Sequence, residues 1–472
     1  MTINQLDEFS KRITPLNPEP KPRRKRPWTV IVLIAIAILS GGLGAGFALV
    51  MTSKPLQQRA LTDKEAEIFG QNQSLAAATA GLPDLTRSVN ILILGTIVLT
   101  SDMPGAPTTP KENYLAQVDN SLNGQSDAVL LARFDPELKK ITTISVPRDS
   151  RVDIPGIGMS KINAANYVGG AALSAQVVSQ LLNNVSIDRY IRINVGGFGK
   201  LIDALGGVDI YVPKRMKYQD DSQHLYINLN PGQQHLDGNK AIQYMRFRYD
   251  DLGDIGRVQR QQTLIRALIE QKLNVTTIAR LPDILQVLKE NIDTNLSVEE
   301  VLALAAFAAK TNRKDARMLM VPGRFSEPSE FPLSYWIVDN RHLSRLMADH
   351  FNTKTDVTAD VDEHSPKYLR VAIQDSIAKP EGVKKASRFL SSAGYSQVFS
   401  AESAWANPLA KTQIVAQTGD RTSAELVRQS LGIGEVVVEA TGSIESDVTV
   451  RLGRDWLTFK PKSLKPNKPA EN

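Results

Sequence analysis

The sequence predicts an α/β fold, a central β-sheet covered by helices on both sides, followed by a smaller α/β domain. Three observations predict it. Short apolar runs bounded by Gly and Pro alternate with stretches whose apolar residues recur at helical spacing. This alternation runs from about residue 89 to 321, enough for one sizeable layered core. After a polar interval it resumes between 367 and 456.

Taken in order, a buried strand is expected over 89–95, where Val89-Asn90-Ile91-Leu92-Ile93-Leu94 runs into a Gly95 turn. A polar loop follows to about 125, then strands over 128–134 and 141–146 joined by the turn at Asp135-Pro136. Helix is expected over 171–182, strand over 190–195, helix over 198–205 and strand over 208–212. Residues 256–273 form an amphipathic helix in which Ile265, Leu268, Ile269 and Leu273 make one stripe. A further apolar helix at 301–309 and a strand at 317–321 close the region. In the second region, strands at 368–373, 397–399, 413–416, 435–439 and 448–452 frame helices at 382–391 and 423–430. Gly394 and Gly432 follow the two helices as left-handed stops, so the region reads as a rough duplication.

The formal charge of +6 is uneven. Residues 1–27 carry seven Lys/Arg against three acids, a net of +4 that leaves only +2 for the rest of the chain. The nearly neutral body gives no electrostatic footprint for nucleic acid. Residues 28–51 are uncharged and mostly Val, Ile, Leu, Ala and Gly, long enough to span a hydrocarbon core. The basic cluster from Lys21 to Arg26 precedes them, which places the N-terminus in the cytoplasm and the body outside. A cleaved signal peptide is the competing reading; the apolar run is longer than its usual core. Residues 52–87 read as a polar stalk, 88–355 as the main domain, 356–366 as a linker, 367–456 as the small domain and 457–472 as a Lys/Pro-rich tail. There are no cysteines, which removes disulfides, thiol nucleophiles and Cys-ligated metals.

The chemistry concentrates in arginine. Arg246, Arg248, Arg257 and Arg260 fall close together with Gln261, and Arg148 follows Pro147 at a strand exit. A guanidinium is always charged and its planar fork fits phosphate oxygens. Arg257 and Gln261 are four apart and share a helix face. The bland reading is a solvated basic face paired with Asp250, Asp251 and Asp254, and a local Arg148–Asp149 pair. Asp254 sits where it can cap the helix or orient an arginine. Asp127 directly precedes a buried strand; it is either a turn residue or a carboxylate held by a metal or a cation. The five histidines are scattered, and neither a GxSxG elbow nor a P-loop is present.

These motifs, in this order, resemble the LytR-CpsA-Psr family. The matching residues are Asn90-Ile91-Leu92-Ile93-Leu94-Gly95, Ser126-Asp127, Ser145-Val146-Pro147-Arg148-Asp149-Ser150, Lys161-Ile162-Asn163, Leu205-Gly206-Gly207-Val208-Asp209, Arg246-Phe247-Arg248, Asp254, Arg257 and Arg260-Gln261-Gln262. Asp447-Val448-Thr449-Val450 with Gly453 resembles the small C-terminal domain that accompanies it. The resemblance implies a cell-envelope phosphotransferase of the bacterial plasma membrane. It would move a glycopolymer from a polyprenyl-pyrophosphate carrier to peptidoglycan, with pyrophosphatase activity on the side. Arg148, Arg246, Arg248, Arg257 and Gln261 then match the pyrophosphate grip, joined by Arg260, with Asp149, Lys161, Asn163 and Asp254 in support. Asp127 matches one of two carboxylates associated with Mg²⁺. At the position of the other stands Ile97, with Asp102 as a distant substitute. A lipid-pyrophosphate-binding scaffold and an envelope-related transcriptional regulator are the alternatives. The carrier tail needs an apolar slot, expected from the sheet and from the helices at 265–273 and 301–309.

Overall fold

The computed structural model describes residues 56–459 apart from 70–73, 78–81, 98–121, 222–224, 248–252, 273, 313–314, 355–364, 402–404 and 406. The leader, the expected membrane helix at 28–51, most of the linker and the tail beyond 459 lie outside them. Among the described residues no helix is long and apolar enough to cross a membrane.

The central sheet has six strands: β1 (Val89–Ile97), β2 (Gln125–Asp135), β3 (Lys140–Val146), β4 (Arg189–Asn194), β5 (Ile292–Thr294) and β6 (Ala316–Met320), in the spatial order β5-β4-β1-β2-β3-β6. β1 and β2 pair antiparallel and β1 and β4 parallel, so Ile93 faces Leu130 on one side and Ile191 on the other. The helices are α1 (Ala164–Leu181), α2 (Val195–Ala204), α3 (Gly238–Arg246), α4 (Gly253–Lys272), α5 (Leu281–Leu288), α6 (Val298–Lys310) and α7 (Asn340–Phe351).

Strand alternation divides the core. Leu92, Leu94, Leu131 and Ile144 pack with Ala172, Ala175 and Val178 of α1 on one face. Val89 and Ile91 pack with Leu296, just before α6, and with Leu304 of α6 on the other. Each such buried aliphatic side chain contributes about 1.5–3 kcal/mol. α6 opens with a capping box between Ser297 and Glu300, and Glu300 also pairs with Arg189 of β4 at 2.8 Å. That buried pair ties the helix to the sheet.

The stretch expected to be a polar stalk is instead packed onto the main domain. Leu56 is buried with Ile284, Leu285, Leu288 and Ile292, and Leu75 with Val89 and Ile91. Phe69 stacks on Tyr190 with centroids 5.0 Å apart. Its few apolar residues are widely spaced and each fills a separate notch, so no periodicity announces them.

The small domain holds β7 (Arg370–Asp375), β8 (Gln397–Ser400), β9 (Gln413–Ala416), β10 (Glu435–Val438) and β11 (Val448–Leu452), in the order β8-β7-β11-β9-β10, with helices α8 (Pro380–Ser392) and α9 (Arg421–Leu431). The β7-α8-β8 and β9-α9-β10 units each pair their strands in parallel on either side of β11. The rough duplication is thus two βαβ units. Its core is continuous with that of the main domain: Leu319, Leu343 and Met347 share a cluster with Ile414, Ala416 and Ala424.

Candidate active site

A β-bulge builds the centre of the site. β1 and β2 run in register until Gly95 faces Ala128, then Thr96 faces Ser126, and Asp127 has no partner opposite. The extra residue breaks the alternation, so Gln125 and Asp127 line the same cleft as Ala128 and Leu130. Gly95 permits this approach, since a Cβ there would lie 3.0 Å from the Ala128 Cβ.

Arg148 reaches in from the exit of β3. Its Nη1 donates to Asp127 Oδ1 at 2.8 Å. Arg257 comes from α4, with Nη1 3.5 Å from Asp127 Oδ2. Burial raises the pKa of Asp127, but the charges of Arg257, Arg148 and Arg246 outweigh it, so the net shift is downward and the carboxylate stays ionised. The loop behind Arg148 is tied in place. Lys161 pairs with Asp149 at 2.9 Å, and the Asn163 amide donates to Gln125 Oε1 at 2.9 Å. The Asn163 backbone N–H donates to the Arg148 carbonyl at 3.2 Å, and its carbonyl accepts from Ser126.

α3 ends at Arg246, and Phe247 turns to extended backbone. Arg246 lines the cleft, as do Arg257, Gln261 and Ile265, successive fourth residues of α4. Arg260 is not among the lining residues. Its guanidinium donates to the Phe247 carbonyl and lies over the Phe247 ring, so it ties α4 to the segment that carries Arg246. Gln262 donates to Ser145 Oγ at 3.0 Å and to the Leu319 carbonyl at 3.1 Å, which seats α4 on the sheet. Arg248 and Asp102 fall outside the described residues, as do the side chains of Asp254 and Ile97.

Away from the arginines most of the wall is apolar, from Ile93, Leu130, Phe198, Leu225, Met245 and Ile265, interrupted by Thr96, Asn194, Tyr218 and Asp220. It encloses about 1220 Å³ of unfilled space, counting its open mouth. The expected contribution of the helix at 301–309 is not found: α6 is spent on Val89 and Ile91. A hairpin missed in the sequence replaces it. Met216–Asp220 and Leu225–Leu229 pair antiparallel and bring Tyr218, Asp220 and Leu225 to the cleft. The alternation of Leu225, Ile227 and Leu229, all buried, was its available signal. Tyr218 donates to Asp220 at 3.3 Å.

Asp127 is the one described carboxylate of the arginine cluster that would hold a Mg²⁺. Both Asp127 oxygens face arginine, and among the described residues no group of three or more His, Asp or Glu could hold a metal. Arg148, Arg246 and Arg257 together favour an anionic ligand in this cleft.

Fold and site together define an α/β domain with an arginine-lined, mostly apolar cleft. Residues 51–352 match the model of the LytR_cpsA_psr family, and residues 368–456 that of the LytR cell envelope-related transcriptional attenuator domain. The chain belongs to the LytR_cpsA_psr family. It is 31% identical over 345 residues to a polyisoprenyl-teichoic acid–peptidoglycan teichoic acid transferase TagU of Oceanobacillus iheyensis, covering 70% of this chain and 94% of that protein. It is 33% identical over 207 residues to the corresponding TagV of Bacillus subtilis, covering 42% of this chain and 52% of that one. The crystal structure of B. subtilis TagV superposes with a TM-score of 0.46 at 27% identity, over 57% of this chain and 99% of that one.

Proposed function

We propose that this chain is a membrane-anchored transferase that moves a glycopolymer from a polyprenyl-pyrophosphate carrier onto peptidoglycan. The observation that carries the reading is the convergence of Arg148, Arg246, Arg257 and Gln261 on one cleft whose remaining wall is mostly apolar. A charged head and a greasy tail need that combination of walls. The names of the relatives support the same donor and acceptor. Residues 28–51 would anchor the protein, with the basic leader inside and the domains outside.

An acceptor sugar hydroxyl attacks the phosphorus nearer the glycan. The bond from that phosphorus to the bridging oxygen breaks, polyprenyl phosphate leaves, and the hydroxyl proton ends on that departing monoester. Charge builds on the equatorial and bridging oxygens, where fixed guanidinium groups stabilise it. Asp127 holds Arg148 and Arg257 against mutual repulsion before the substrate arrives.

The test is incubation of the protein with a prenyl-pyrophosphate-linked glycan and peptidoglycan fragments. The reading expects release of prenyl phosphate together with a covalent glycan–peptidoglycan product. A scaffold, which the Ile97 position and the arginine-bound Asp127 favour, would bind the donor and release nothing.

A further inference from the structure

Helix α4 has two occupied sides. With about 100° per residue, Gln261 and Ile265 lie roughly 40° and 80° from Arg257, whereas Arg266 and Gln259 lie roughly 180° and 200° away. The first set lines the cleft. The second set is held by the small C-terminal domain.

Arg266 Nη2 lies 2.7 Å from Glu439 Oε2. The other Glu439 oxygen serves the small domain itself, pairing with Arg451 at 2.8 Å and accepting from Thr441 at 2.6 Å. Arg451, fully buried, donates in turn to Gln374 at 3.0 Å and Thr441 at 2.7 Å. Two turns up the helix, Gln259 donates to the Gly442 carbonyl at 2.9 Å, and Val258 packs with Ala440. The segment is also stitched to the central sheet, since the Ala440 N–H donates to the Met318 carbonyl at 2.8 Å. Residues 439–442 therefore touch the catalytic sheet and the back of the arginine helix at once.

We propose that the small domain is a positioning element of the anion site, and that Arg266, through Glu439, sets the rotation of α4 that aims Arg257 and Gln261 into the cleft. The proposal rests on the reading that these two side chains touch the pyrophosphate. Its magnitude is set by geometry. Rotating a helix by about 20° moves a side-chain tip at roughly 6 Å radius by about 2 Å. A misplacement of about 1 Å in a phosphate clamp can cost about 100-fold in rate. Removing the Arg266 side of this partly buried pair releases the tie between α4 and the small domain.

The experiment compares full-length wild type with Arg266→Gln, Arg266→Lys and Gln259→Ala. Arg266→Gln leaves the Glu439–Arg451–Gln374 set intact, so the small domain keeps its own core. Amide hydrogen exchange is read across residues 257–262, and kcat and KM are measured for prenyl phosphate release from geranylgeranyl pyrophosphate. Expected for Arg266→Gln are about tenfold faster exchange in that segment and a fall in kcat of about 100-fold with KM changed less, because tail binding is untouched. Arg266→Lys restores part of both. A folded Arg266→Gln protein with wild-type exchange and wild-type kcat overturns the proposal. Should Arg266→Gln not fold, Gln259→Ala decides by the same two readouts. Wild type that neither binds nor cleaves the pyrophosphate would sink the functional reading instead, and the exchange data would still decide the brace.

Discussion

Asp127 is the residue on which the site is organised. It sits where the β1–β2 ladder slips by one, and its two oxygens face Arg148 and Arg257. Arg148 is the more exposed of the two arginines, with 19% of its side chain accessible against 6% for Arg257. In the proposed reading it is the group that a phosphate meets first. Replacing Arg148 with Ala removes a preorganised donor, and we predict a loss of about 100-fold or more in prenyl phosphate release. Activity within a fewfold of wild type would take Arg148 out of the mechanism. The types and order of these residues were legible in the sequence. The roles of Arg260 and Asp220 were not. Arg260 shares its charge with the others but is turned aside to the Phe247 carbonyl, a difference of one helical step. Asp220 carries no motif and reaches the cleft only because a short hairpin folds over it.

At the scale of elements, apolar periodicity located most strands of both sheets and the helices α1, α2, α4, α6, α8 and α9, but not α5, α7 or the sheet strand β5. Part of what periodicity missed has a common cause. The pieces between 56 and 87 and the hairpin at Met216–Asp220 bury only a few side chains each, against an existing surface. Local pattern is weak where tertiary contact supplies the order. α1 shows the converse, starting earlier than its apolar repeat because it contains a break. Gly169 and Gly170 leave helical geometry, and Gly170 has φ 63° and ψ −152°. Only glycine enters that region without strain. Gly170→Ala is therefore expected to destabilise the protein by about 1–3 kcal/mol in denaturant unfolding. An unchanged midpoint would mean that α1 can run straight through.

At the scale of the whole molecule, the two domains behave as parts of one body. Beside the Glu439 contact, α7 presents His350 to the small domain, with Nε2 3.2 Å from the Gly419 carbonyl and Nδ1 2.8 Å from Arg317. Burial, then the positive charge of Arg317, pulls the His350 pKa down to about 4, against the bond to Gly419. The ring is neutral when folded, and the unfolded chain binds the extra proton below its ordinary pKa of about 6.5. Stability is thus full above that value and is lost as pH falls from about 6.5 toward 4. Thermal melts over this range should fall more steeply for wild type than for His350→Gln. Parallel slopes would show that His350 does not titrate with unfolding.

The most direct measurement is a crystal structure with geranylgeranyl pyrophosphate bound. The account predicts both phosphates between Arg148, Arg246, Arg257 and Gln261, with the prenyl chain against Ile93, Leu130, Phe198, Leu225, Met245 and Ile265. Phosphates bound elsewhere, with this cleft empty and the Arg148–Asp127–Arg257 contacts unaltered, would contradict it.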